Sequence, residues 1–95
     1  MVSFVARFTF APEDRAEVAD SLHLLTVASR QEEGCVSYIP HHLEGDPNTI
    51  VIYEQYRDEA ALTAHRASAH FKKHAVEGLF QKMKDRNRED LIALI

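Results

Sequence analysis

Apolar and polar positions alternate from the second residue onward. Val2, Phe4, Ala6, Phe8 and Phe10 fall on one face of an extended segment, and Ser3, Val5, Arg7 and Thr9 fall on the other. That period of two predicts a first strand over residues 2–10. Pro12 then suits the first turn of a helix, where Glu13 and Asp14 favour the positive end of the dipole. The period changes with it: Val18, Leu22, Leu25 and Ser29 make a helical stripe that should dock on a sheet. Leu24 and Val27 lie off that stripe, which leaves them either singly exposed or part of a second buried surface. Gly34 stands where a left-handed C′ residue would end the helix.

Residues 35–43 return to an extended pattern, with Val36, Tyr38, Pro40 and His42 on one face. Pro40 has no amide hydrogen, which predicts an edge strand or a bulge. The turn formers Glu44-Gly45-Asp46-Pro47-Asn48 should close a hairpin into a third strand, Ile50 to Tyr56. That strand is apolar on both faces, Ile50 and Ile52 on one and Val51 and Tyr53 on the other, so a single layer of helices covers only half of it. Asp58 is placed as an N-cap before Glu59, Ala60, Ala61 and Leu62, and Ser68 repeats the signal before Ala69-His70-Phe71. Val76, Leu79, Phe80 and Met83 form a stripe at i, i+3, i+4 and i+7, with Lys82, Lys84 and Arg86 as cations near the helix end. Leu91 to Ile95 reads as a last short strand.

The order strand, helix, strand, strand, short helix, helix, strand predicts an α+β, ferredoxin-like split βαβ domain over residues 1–95. Its antiparallel sheet has helices on one side. The bare face of that sheet calls for a cover, and a second copy of the chain is the simplest, so a homodimer is expected.

Composition narrows the function classes. A chain of 95 residues that is 45% hydrophobic and 27% charged is an ordinary globular domain. The net charge of −4 offers no basic patch of the kind nucleic acids require. The single cysteine, Cys35, allows no intrachain disulfide and fits a reducing compartment. No stretch approaches the roughly 18–20 apolar residues of a membrane span, and the start carries no signal-peptide pattern. A cytoplasmic protein that binds neither nucleic acid nor membrane is the expectation.

Glu33-Gly34-Cys35 followed by Tyr38, then Tyr53-Glu54-Gln55-Tyr56, Asp58-Glu59-Ala60-Ala61-Leu62, and finally His65, Ser68, His70 and Phe71 run in a specific order. Together they resemble the antibiotic biosynthesis monooxygenase family. The resemblance extends over nearly the whole chain. It implies two ferredoxin-like protomers pairing their sheets into a dimeric α+β barrel. It also implies oxygenation of phenols or quinols without metal or flavin, although the family includes an isomerase of an autoinducer sugar phosphate. Related small proteins degrade haem, but this chain has no tryptophan and carries Arg7 in the first-strand region where those proteins have an asparagine. Both departures point away from haem.

Oxygenation without a cofactor needs a base to deprotonate the substrate, donors to hold developing negative charge, and a pocket that excludes water. His65 and His70 are the candidate bases, because imidazole titrates near operating pH. The helix start after Ser68 disfavours a second positive charge at His70. Glu54 is the candidate to orient one of the rings. Tyr38 and Tyr53 are candidates to hydrogen-bond a substrate oxygen, Phe71 to wall the pocket, and Arg7 to steady an anion.

Each residue also has a structural alternative. The histidines can tie the two helices together, and Glu54 can pair with an arginine or with backbone amides. The tyrosines and Phe71 can simply pack, and Arg7 can serve a cross-strand ion pair. His70 and His74 are spaced to share a metal, but no third ligand stands at suitable spacing and Lys72 and Lys73 are close by, so no metal is expected. His41 and His42 alternate across a strand and cannot meet in one site. Cys35 reads as a small buried hydrophobe. The leading expectation is a cofactor-independent monooxygenase acting on a small aromatic phenol or quinol with O₂. The alternatives are an isomerase of a small oxygenated metabolite and a non-catalytic, ligand-binding or stress-related dimer.

Overall fold

The computed structural model describes residues 1–95. Four strands, β1 (Val2–Thr9), β2 (Cys35–Leu43), β3 (Asp46–Tyr56) and β4 (Lys84–Leu91), form one antiparallel sheet in the order β2-β3-β1-β4. Helix α1 (Arg15–Arg30) follows a 3₁₀ turn at Pro12–Asp14, and α2 (Glu59–Arg66) follows β3. A π-helix, Phe71–Leu79, closes in one α-helical turn, Phe80–Lys82. This is the ferredoxin-like arrangement that the pattern predicts. No helix is long and apolar enough to cross a membrane.

The core lies between the sheet and its helices. Phe8 and Phe10 from the first strand region meet Ile50 and Ile52 of β3 and the α1 stripe Val18, Leu22 and Leu25, all buried. The alternation in β1 and the i, i+4, i+7 spacing in α1 therefore fall on facing surfaces. A smaller cluster, Phe4, Tyr56 and Leu62, seats α2. Asp58 caps α2 by accepting from the Ala61 amide at 2.8 Å. Ser68 Oγ accepts from the Phe71 amide at 3.2 Å and donates to the His65 carbonyl at 2.6 Å, so one hydroxyl ends α2 and starts the next helix.

Several expectations give way. Gly34 is not left-handed, since Gly45 is the glycine with positive φ. Gly34 is needed for space instead, because a Cβ there would collide with the Ala61 Cβ of α2. Val36 is half exposed while Tyr38 is buried, because the β2–β3 register slips between Cys35 and Ser37 and turns Val36 outward. The stripe through Val76 fails as well. The Phe80 amide bonds back to the Ala75 carbonyl, five residues earlier, and the wider turn buries Ala75 and Leu79 while exposing Val76.

The last strand is displaced too. β4 uses the polar run Lys84–Leu91, pairing along β1 from Lys84 opposite Thr9 to Leu91 opposite Ser3, and residues 92–95 lie beyond it. Lys84 and Arg86 are therefore strand residues. Lys82 alone ends the helix, 3.5–3.6 Å from Glu17 and Asp14. Pro40 does lie on an edge strand, β2.

Candidate functional site

Between the sheet and the helices lies a cavity of about 530 Å³, walled mainly by apolar side chains such as Phe4, Phe8, Phe71, Leu79 and Met83. Its size suits a small-molecule ligand. A carboxyl and an imidazole reach its wall from opposite layers: Glu54 from β3 and His65 from the last turn of α2. Both are buried, at 6% and 2% exposure, and His65 Nε2 stands 4.0 Å from Glu54 Oε1.

Burial is the main influence on each. It pushes the Glu54 carboxyl up to about 7, against the opposing hydrogen bond from Tyr56 and the charges of Arg88 and Arg66. The Tyr56 hydroxyl donates to Glu54 Oε1 at 2.6 Å, and burial with the adjacent carboxylate holds it firmly protonated. Desolvation lowers the pKa of His65, partly offset by Glu32, so near neutral pH this ring is uncharged.

Glu32 decides which nitrogen of His65 is free. It lies in the turn between α1 and β2, and its Oε2 is 2.8 Å from His65 Nδ1. A carboxylate only accepts, so Nδ1 carries the hydrogen and the Nε2 lone pair faces Glu54 and the cavity. The same oxygen accepts from His70 Nε2. Gly34 makes this reach possible: without a side chain there, the turn carrying Glu32 packs directly against α2, which carries His65. Tyr38, Tyr56 and Phe71 enclose the His65 ring, with centroids 5.9, 5.1 and 5.1 Å away.

The candidates from the sequence are thus partly assembled. His65, Glu54, Tyr38 and Phe71 line the cavity together. His70 does not: it is partly exposed, outside the cavity lining, and its hydrogen bond toward the site goes to Glu32. Glu54 is not the residue that orients an imidazole, since Glu32 makes that hydrogen bond. Tyr53 lies on the opposite face of β3, paired across the sheet with Val5 and Ile39, and takes no part in the cavity. Arg7 also belongs to that outer face by alternation, yet borders the cavity next to the slip in β1–β4 pairing.

Glu32 carried no signal of its own in the run Gln31-Glu32-Glu33; its neighbour Glu33 faces solvent beside Arg57 at 3.6 Å. Burial pushes the Cys35 thiol up to about 11, so it stays protonated and unreactive. His74 gains no partner from the helix pairing with His70. A different trio, Glu32, His65 and His70, brings its ligand atoms within 4.8 Å of one another and supplies the third ligand that spacing alone did not reveal. Two imidazoles and a carboxylate are ligands that a divalent transition metal accepts.

The model of the antibiotic biosynthesis monooxygenase family matches residues 1–77. The chain is 35% identical over 78 residues to a Bacillus subtilis (strain 168) protein named "Putative monooxygenase YcnE", covering 82% of each chain. It is 34% identical over 70 residues to "Putative monooxygenase Rv0793" of Mycobacterium tuberculosis, covering 74% of this chain and 68% of that one. A crystal structure described as an antibiotic biosynthesis monooxygenase superposes over the full length of both chains, with a TM-score of 0.92 and 26% identity.

Proposed function

The chain belongs to the antibiotic biosynthesis monooxygenase family, and from that membership we propose a cofactor-independent monooxygenase that oxidises a small aromatic phenol or quinol with O₂. The observation that carries this reading is the direction of His65. Glu32 fixes its Nδ1–H, burial keeps it neutral, and its Nε2 lone pair faces an apolar cavity.

In this mechanism His65 Nε2 takes the proton of the substrate hydroxyl, and Glu32 stabilises the imidazolium that results. The aromatic anion, held away from water, passes one electron to O₂. The substrate radical and superoxide then join in a C–O bond to give a peroxide. His65, or the protonated fraction of Glu54, returns a proton to the outer peroxide oxygen. The oxygenated carbon then loses its hydrogen as a proton to that base, the O–O bond breaks as the carbonyl forms, and the expelled hydroxide takes up this second proton. One oxygen atom stays in the quinone product and the other leaves as water. All four electrons come from the ring, so no external reductant is required. Tyr56 holds Glu54 in place, while Tyr38 and Phe71 confine the ring plane.

A second copy completes the outer face of the sheet in this proposal. Ile39, Tyr53 and Val5 form a row across β2, β3 and β1 on the face away from the helices, and Ile39 is 42% exposed. Pairing two such faces gives a homodimer with one cavity per protomer.

Incubation with a panel of quinols, with and without O₂, tests the activity. Quinol loss well above background only in the aerobic samples supports it, and equal slow loss in both overturns it. The buried His65–Glu54 pair also suits isomerisation of an oxygenated metabolite, which moves protons but uses no O₂. Turnover that continues at full rate without O₂ would select that reading.

A further inference from the structure

Acidic residues outnumber basic ones in this chain, 15 to 11. The cavity reverses that balance. Of the chain's seven arginines, Arg7, Arg66, Arg86 and Arg88 border it, and Glu54 is its one carboxyl group. That carboxyl is itself held close to half-protonated at neutral pH. Charges collected this way around a low-dielectric hollow raise the local concentration of an ion of opposite sign.

Three of the four guanidiniums are not occupied by the protein's own acids. Arg88 pairs with Asp90 at 2.7 Å and lies 4.0 Å from the Phe4 ring centroid. Arg86 lies 4.5 Å from the Phe80 ring centroid with no carboxylate partner, and neither Arg66 nor Arg7 has an ion pair. Arg86 and Arg88 come from β4, exposed at the sheet edge, and Arg66 from the end of α2. β4 lies outside residues 1–77, which match the family. The aromatic walls Phe4 and Phe80 therefore each carry a guanidinium that can stack on one side and donate on the other.

We propose that the substrate is an aromatic phenol bearing an anionic substituent, a carboxylate or a group of similar charge, bound by Arg66 and Arg86 while its ring enters the apolar cavity. This rests on reading the cavity as the substrate site. Arg88 joins them less strongly because Asp90 already uses it. The anion stays at the rim formed by α2 and β4, and the hydroxyl-bearing end points inward toward His65 and Glu54. A planar guanidinium suits a carboxylate because it can donate two parallel hydrogen bonds.

The test compares 2-naphthol with 6-hydroxy-2-naphthoate, whose hydroxyl and carboxylate lie at opposite ends, by calorimetry at low ionic strength, a binding measurement that does not depend on turnover. A third probe, 6-hydroxynaphthalene-2-sulfonate, separates a preference for carboxylate from one for anions generally. The proposal predicts that the naphthoate binds at least tenfold more tightly than the naphthol. It also predicts that the advantage shrinks in Arg66→Gln and Arg86→Gln and with added salt, while naphthol affinity stays within threefold. Both substituted positions are exposed, and circular dichroism checks that each variant is folded. Equal binding of naphthol and naphthoate overturns the proposal, as does a preference that survives both substitutions. Tight anion binding without oxygen uptake on any quinol would leave it standing and remove the oxygenase reading.

Discussion

Glu32 Oε2 stands 2.8 Å from His65 Nδ1, bringing a turn residue and the end of α2 together beneath the cavity wall. This contact fixes the imidazole in the tautomer whose lone pair faces the hollow.

Removing the charge of that acceptor should change both rate and pH dependence. Glu32→Gln is expected to lower kcat by about 10²-fold, within the usual range for disturbing acid–base catalysis. Glu32 raises the His65 pKa by hydrogen bond and by charge, against the larger effect of burial. Without it the ring becomes neutral at a still lower pH, and the acid limb of the rate profile moves down. A purely structural role for Glu32 would reduce the folded fraction and leave that limb in place.

Gly34→Ala should be costly for a steric reason. The added methyl meets the Ala61 Cβ, which sits on a helix and cannot swing aside. A loss of about 1–3 kcal/mol in denaturant unfolding is expected, as for overpacked sites elsewhere. Ala61→Gly in the same chain should recover part of it. A single substitution as stable as the parent would contradict the close approach.

The Glu54 carboxyl makes a prediction about pH and stability. Its pKa is raised from 4.5 to about 7 on folding, chiefly by burial. The folded chain therefore holds a proton that the unfolded chain releases. This contribution is fully present below about pH 4.5 and is lost as pH rises through about 7. Glu54→Gln removes the dependence while keeping an acceptor for Tyr56. The variant should gain stability relative to the parent as pH rises from 4.5 to 7, by on the order of 3 kcal/mol at most, and then level off. Chemical denaturation at pH 4.5 and 8 measures it, and a constant difference would contradict the raised pKa.

Glu32, His65 and His70 can compete for a divalent ion. The proposed mechanism gives them protons to hold, so dialysis against a chelator should leave turnover unchanged. Activity that vanishes on chelation and returns with one particular metal would replace His65 as the base.

Local chemistry made much of this molecule readable from residue order. The alternation in β1 and the Val18, Leu22, Leu25 stripe are each periodic over several turns or pleats, and both held. So did the two caps, because Asp58 and Ser68 act on amides three residues away. His65 and Glu54 stood out as titratable groups among apolar ones. What escaped the sequence depends on contacts between distant segments. β4 is a polar run made into a strand only by pairing with β1. Val76 turned outward because the helix around it widened to π geometry. Glu32 matters through a ring 33 positions away, and nothing in its own neighbourhood separates it from Glu33.

The direction of His65 is tested most directly by isotope incorporation under ¹⁸O₂ with 1,4-dihydroxynaphthalene, comparing the parent chain with His65→Ala. One labelled oxygen atom per product molecule in the parent, and a rate lower by about 10²–10⁴-fold in the folded variant, is the predicted result. Unlabelled product, or a variant that incorporates ¹⁸O as fast as the parent, would contradict it.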